Sequence, residues 1–288
     1  MTEQRTYPQG VTSWVDTEQP DVEAATEFYG GLLDWTFDEA TPPGAPFRYV
    51  VAQLDGRDVG AISGPSQIGQ QGGSGRVGSD GEHTASWNTY VAVDDADAAA
   101  RRVEQAGGRV VHPPTVAGEG GRSVVALDPQ GLEIRLWEAK RRLGAQLTNA
   151  PGAWNFSDLH TADPARAQAF YSDVFGWEFS DVGFATMIRV PGYGDHLAST
   201  VDPDIHERQS GVGVPAGFAD AIGWLAPVAP GDVAGWKVTF TVADRDATAA
   251  RAVELGATVV RTAENDWTRT AVVRDPQGAV FTASQFLG

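Results

Sequence analysis

The hydrophobic positions of this chain switch between two periods, and the switch recurs four times. Residues 10–16, ending in Trp14, Val15 and Asp16, read as a strand with partial two-residue alternation. From Asp21, a candidate N-cap, apolar residues then fall at positions 22, 25, 28, 29, 32 and 33, the spacing of one helix face. Short apolar runs at 35–37, 47–52 and 58–62, separated by Pro/Gly turns, predict three further strands. A strand, a helix and three strands then come again. Residues 87–93 form the next strand, an alanine-rich helix runs from Ala96 to Ala106 and stops at Gly107-Gly108, and an extended run at Val110-Val111 leads into a hairpin.

That hairpin turns through Asp128-Pro129-Gln130-Gly131, and the same tetrapeptide returns as Asp275-Pro276-Gln277-Gly278, each copy flanked by β-type apolar runs. Proline presets φ early in such a turn and glycine supplies the positive φ that closes it. The duplication extends beyond the turns. Phe170-Tyr171 and Trp177 stand 142 positions after Phe28-Tyr29 and Trp35, while Val242, Gly256 and Val259-Val260 stand 149 after Val93, Gly107 and Val110-Val111. Asp163 followed by Pro164, a proline at the first helical position, marks the start of the third helix. Self-similarity at one large offset is the mark of tandem domains sharing a fold. The pattern therefore predicts an α+β protein of four βαβββ modules, divided into domains at 1–143 and 144–288. A lone module leaves one sheet face and its edges uncovered, so modules should pair into curved mixed sheets around a cleft, with helices outside. Residues 64–86, rich in Gly, Ser and Gln, read as a connection or a lid.

Composition narrows the function classes. With 288 residues, 42% of them hydrophobic, and nine tryptophans, the chain can bury two sizeable cores. It has no cysteine, which removes disulfides, thiolate metal sites and cysteine nucleophiles. A net charge of −17 argues against nucleic acid and anionic membrane surfaces as partners, since both need a cationic face. No run approaches the roughly 18 apolar residues of a membrane span. The expectation is a cytoplasmic protein, monomer or homodimer, whose partner is a small molecule.

Several of these residues also carry a resemblance. The helix endings Phe28-Tyr29 and Phe170-Tyr171 with their following Trp35 and Trp177, the passages Val93-Asp94-Asp95 and Val242-Ala243-Asp244, and both Asp-Pro-Gln-Gly turns resemble the vicinal oxygen chelate superfamily, which comprises glyoxalase, bleomycin-resistance and extradiol-dioxygenase proteins. Residues 10–16 and 87–95 look more particularly like two-domain actinobacterial members, described as glyoxalase-like proteins or candidate hydroxylases. The resemblance implies a divalent metal in each cleft, held by His, Gln or Glu, which chelates neighbouring substrate oxygens. The positions that match its ligand set are Trp14, Asn88 and Arg135 in the first half and Phe156, Lys237 and Thr282 in the second. None is a credible ligand for a divalent ion, and neighbouring registers do not restore the set. The expectation is accordingly that no metal or other cofactor is bound, with those six residues and Tyr90 lining substrate-binding clefts. Asp16, Glu133 and Asp158 leave open a rebuilt carboxylate site. For Tyr90, Trp137 and Trp154 the core or pocket-wall reading outweighs any catalytic one.

Asp16 and Asp158 occupy equivalent first-strand positions, and a carboxylate in an apolar cleft could act as a general base. The alternative is that each bridges backbone near the helix loop. Two functions follow from this: a metal-free binding protein with an aromatic cleft in each half, or a lyase, isomerase or oxygenase acting on a small oxygenated substrate through Asp16 or Asp158 or through a recruited divalent metal. The five histidines, His83, His112, His160, His196 and His206, are scattered and form no ligand pattern. Lys237 standing where the first half has Asn88 predicts that the two clefts differ.

Overall fold

The computed structural model describes residues 5–41, 44–65, 85–183, 185–210 and 215–288. The connection predicted at 64–86 lies mostly outside the described residues, as does His83. The first module consists of β1 (Thr12–Glu18), α1 (Val22–Leu33), β2 (Thr36–Glu39), β3 (Tyr49–Leu54) and β4 (Arg57–Ser63). The second is β5 (Ser86–Ala92), α2 (Ala96–Gln105), β6 (Arg109–Ala117), β7 (Gly121–Leu127) and β8 (Glu133–Ala139). The third comprises β9 (Trp154–Thr161), α3 (Pro164–Phe175), β10 (Glu178–Asp181), β11 (Thr186–Arg189) and β12 (Ala221–Pro227), with two short helices, α4 (Tyr193–Ser199) and α5 (Ile205–Ser210), inserted before its last strand. The fourth is β13 (Gly235–Thr241), α6 (Arg245–Glu254), β14 (Thr258–Glu264), β15 (Thr268–Arg274) and β16 (Val280–Phe286).

Each long helix begins where an aspartate can satisfy an orphan backbone donor. The carboxylates of Asp21, Asp95, Asp163 and Asp244 accept the N–H groups of Ala24, Ala98, Arg166 and Ala247 at 2.9–3.1 Å. After the helix the chain forms an antiparallel meander, and its last strand returns to lie parallel to the first. Asp16 pairs with Ala61, Tyr90 with Arg135, Leu159 with Leu225 and Thr239 with Thr282. The result is two eight-stranded mixed sheets, ordered β2-β3-β4-β1-β5-β8-β7-β6 and β10-β11-β12-β9-β13-β16-β15-β14.

Packing groups the modules differently from chain order. One compact unit contains the chain up to Ser13, Tyr90–Gly144 and Ser157–Trp236, and so the second and third modules; the other contains Trp14–Thr89, Ala145–Phe156 and Lys237–Gly288, and so the first and fourth. In the former, α2 and α3 share a core that includes Ala99, Val103, Phe170, Tyr171 and Trp177, and the Arg102 Nε donates to the Val174 carbonyl at 3.1 Å. In the latter, Tyr29 stacks on Trp35 at 5.7 Å, Trp87 meets Phe240 edge-on at 5.0 Å, and Arg251 Nε of α6 donates to the Gly31 carbonyl of α1 at 3.2 Å.

The repeated tetrapeptide holds each of these pairings. Asp128 Oδ1 accepts the N–H groups of Gln130 and Leu132 at 2.8 and 2.9 Å, closing its own turn, while its other oxygen accepts the Tyr171 hydroxyl at 3.4 Å. Gln130 reads the main chain at the α3 N-cap: its Oε1 accepts Asp163 N–H at 2.9 Å and its Nε2 donates to the Asp163 carbonyl at 3.1 Å. In the other unit Asp275 accepts Gln277 and Ala279 N–H, then Tyr29 Oη at 2.8 Å and Gln19 Nε2 at 2.7 Å. Gln277 clasps the main chain of Asp21 at 2.7 and 2.8 Å. Gly131 and Gly278 have φ of 81° and 107°, in the region the turn requires and a β-branched residue resists.

Two consequences can be measured. Gly131→Val should lower stability by about 1 kcal/mol or more in urea unfolding, because valine is strained at that φ; an unchanged midpoint would refute the turn's role. Tyr29→Phe should cost about 1–3 kcal/mol, because the hydroxyl donates to the buried Asp275 carboxylate and accepts Trp87 Nε1–H at 3.1 Å, and the loss should shrink but not vanish when Asp275→Asn is the background.

Candidate functional site

In the unit built from the first and fourth modules, three of the residues singled out by sequence converge on a fourth that was missed. Asp16 is 1% exposed. Its Oδ1 accepts the Asn88 amide at 2.8 Å and its Oδ2 the Tyr49 hydroxyl at 3.3 Å; that hydroxyl in turn accepts Trp14 Nε1–H at 3.1 Å. A continuous Trp14–Tyr49–Asp16–Asn88 chain thus crosses β1, β3 and β5. Both oxygens of the carboxylate are engaged by side chains, which differs from the predicted bridge to helix-loop backbone. Tyr49 gave no signal in sequence because it is brought to Asp16 by a strand 33 positions on, through sheet pairing alone. In the same unit Phe156, Lys237 and Thr282 lie half-buried on β9, β13 and β16, with Thr282 in register with Thr239.

In the unit built from the second and third modules, Tyr90 and Arg135 face each other across the parallel β5–β8 pair. Arg135 Nη1 donates to the Tyr90 hydroxyl at 3.1 Å, its guanidinium carbon lies 5.6 Å from the Tyr90 ring centroid, and its Nε donates to Glu133 Oε1 at 2.8 Å. Arg135 is 7% exposed, and Glu133 supplies the counter-charge that burial demands. The charge of this arginine is matched within β8.

Asp158 behaves differently from its counterpart Asp16. It is half-buried, and among the described residues its carboxylate accepts one hydrogen bond, from Trp224 N–H to Oδ1 at 3.0 Å. Burial raises its pKa to about 7, and the Trp224 amide only partly offsets this. The approach is permitted by Gly223, where a Cβ would stand 2.4 Å from the Ser157 carbonyl oxygen. Trp224 contributes through its main chain, so no side-chain pattern could have revealed the contact.

The described histidines form no group of ligands. His196 Nε2 lies 3.1 Å from Thr6 Oγ1, and His206 Nε2 lies 3.0 Å from Asp195 Oδ1 at the surface. Among the described residues no group of three or more His, Cys, Asp or Glu is placed to hold a metal ion. The donor chemistry at the six ligand-equivalent positions, two aromatic rings, an amide, a hydroxyl and two cations, does not fit a divalent cation. No helix among the described residues is long and apolar enough to cross a membrane.

A glyoxalase-like domain model matches residues 141–284, and a glyoxalase/bleomycin resistance protein/dioxygenase superfamily model matches residues 18–136. The chain belongs to this superfamily. Among curated relatives it is 34% identical over 284 residues to "Putative glyoxylase CFP32" of Mycobacterium tuberculosis, covering 98% of this chain and 97% of that protein. It is 33% identical over 279 residues to anthracycline biosynthesis protein DnrV of Streptomyces peucetius, covering 96% and 93%. Among solved structures, the Mn(II)-bound glyoxalase from Novosphingobium aromaticivorans superposes with a TM-score of 0.59 at 15% identity, over 96% of this chain and 82% of that one. The 2,3-dioxygenase LapB from Pseudomonas sp. KL28 gives 0.59 at 14% identity, over 96% and 93%. These structures share the glyoxalase-type fold with this superfamily member.

Asp158 yields a pH prediction. Below about pH 4 the carboxyl is protonated in folded and unfolded chains alike. Between pH 4 and 7 only the folded chain keeps the proton, so stability falls as pH rises, and above pH 7 the full penalty of a buried carboxylate is present. Asp158→Asn should therefore unfold at higher temperature than the unaltered protein at pH 8, by roughly 2–4 kcal/mol, with the gap closing toward pH 4. A pH-independent gap would refute the assignment.

Proposed function

We propose that this protein binds a flat, polycyclic aromatic small molecule without the help of a metal ion. The observation that carries the reading is the Trp14–Tyr49–Asp16–Asn88 chain: at a strand position where the superfamily resemblance places a metal donor, the side chain is an indole, and the nearest carboxylate has both oxygens occupied. A carboxylate so engaged is a poor metal ligand, whereas ordered indole and phenol rings suit stacking against a planar ligand. In the same unit Phe156 adds a further aromatic ring, and Lys237 and Thr282 add polar groups of the kind that orient such a ligand. The name of the relative DnrV, an anthracycline biosynthesis protein, supports a polycyclic aromatic class.

A second reading, a lyase, isomerase or oxygenase acting on a small oxygenated substrate, is favoured by one feature, the carboxyl of Asp158. Its pKa near neutrality suits proton transfer. Turnover distinguishes the two readings.

Thermal unfolding against a panel of hydroxylated anthraquinones should show a saturable rise in midpoint, since a ligand bound to the native state stabilises it. The rise should be the same after chelator dialysis and after addition of Mn(II), Ni(II) or Zn(II). A rise that disappears on dialysis and returns with one of those ions would overturn the metal-free reading, and metal-dependent consumption of the ligand would establish the enzyme.

A further inference from the structure

The two halves have diverged at equivalent aspartates, and the divergence points to the polar end of a ligand. Asp16 has both oxygens bonded to side chains. Asp158 has Oδ1 on the Trp224 amide and, among the described residues, no donor on its other oxygen. Strand alternation fixes where that oxygen looks. Leu159 and Leu225, paired in register, are both fully buried in the core formed with α3, so Asp158 and Trp224, one residue before each, present their side chains to the opposite face of the sheet. There the Trp224 ring lies against Phe218, centroids 6.0 Å apart and planes inclined by 33°, and all three side chains are only half-buried. A half-buried carboxyl beside an aromatic pair, with one oxygen that has no donor among the described residues, is complementary to a ring bearing a hydrogen-bond donor.

We propose that the outer oxygen of Asp158, beside the Trp224–Phe218 ring pair, accepts the hydroxyl hydrogen of an aromatic ligand, and that the first half lacks an equivalent acceptor because Tyr49 and Asn88 fill that role internally. The inference rests on the flat aromatic ligand proposed above and adds the group that selects among such ligands. Gly223 is a condition of the arrangement, since any side chain there would separate β12 from β9 and withdraw the Trp224 amide from Asp158. Burial raises the pKa of Asp158, and the Trp224 amide offsets this only in part.

The test uses the full chain and a matched pair of probes, 2-(hydroxymethyl)anthraquinone and 2-(methoxymethyl)anthraquinone, whose alcohol keeps its proton at pH 8, titrated at that pH with tryptophan fluorescence as readout. The unaltered protein should bind the hydroxyl compound about tenfold or more tightly than the ether, as expected for one hydrogen bond to a charged acceptor. Asp158→Asn keeps an acceptor for the Trp224 amide and turns an N–H donor outward, so the preference should fall below about threefold while the ether binds no worse. Equal affinity of the unaltered protein for both probes would overturn this assignment and leave the aromatic-ligand reading standing. A tenfold preference that survives in Asp158→Asn would overturn it as well. Failure of both probes to bind would remove the aromatic-ligand reading and the inference with it.

Discussion

The fold depends on one polar interaction made twice: the aspartate and glutamine of an Asp-Pro-Gln-Gly turn gripping the start of a helix from a distant module. Asp128 and Asp275 close their own turns with two backbone hydrogen bonds each and use the remaining oxygen on a buried tyrosine, Tyr171 or Tyr29. Gln130 and Gln277 bind both the N–H and the carbonyl of the N-cap residues Asp163 and Asp21. A buried carboxylate left without donors would be costly, so each tyrosine must dock before the turn is satisfied. Helix packing and turn closure are thereby made to depend on one another.

Because the staple reaches across the duplication, each packed unit mixes modules from both halves. Strand pairing follows chain order, joining the first module with the second and the third with the fourth. Helix packing joins the second with the third and the first with the fourth. A duplicated chain held in this way can change a strand residue in one half without disturbing the scaffold, provided the staples and ring clusters stay intact. The aspartates illustrate this. Asp16 is the centre of a side-chain network, whereas Asp158 has an oxygen without a donor among the described residues and a pKa near neutrality.

Much of the architecture was legible beforehand, for identifiable reasons. Helix starts were visible because an aspartate at the N-cap and a proline at the first helical position act locally. The βαβββ repeat was visible because burial imposes period 3.6 on helices and period 2 on strands. Of the candidate site, sequence found Trp14, Asp16, Asn88, Tyr90, Arg135 and Asp158 through their first-strand and last-strand positions, but not what each touches. It missed Tyr49 and Trp224, because one is delivered by a strand two places away in the sheet and the other acts through its backbone.

The sequence by itself determined the elements, the duplication and the acidic charge, all of which follow from residue identity and short-range spacing. Only the tertiary structure decided that Arg135 is neutralised by Glu133, that the Asp-Pro-Gln-Gly turns clasp helices in the other half, and that two equivalent aspartates have unlike surroundings. Hydrogen bonds and desolvation act over about 3 Å in space, and partners at that distance in a folded chain can stand hundreds of positions apart along it.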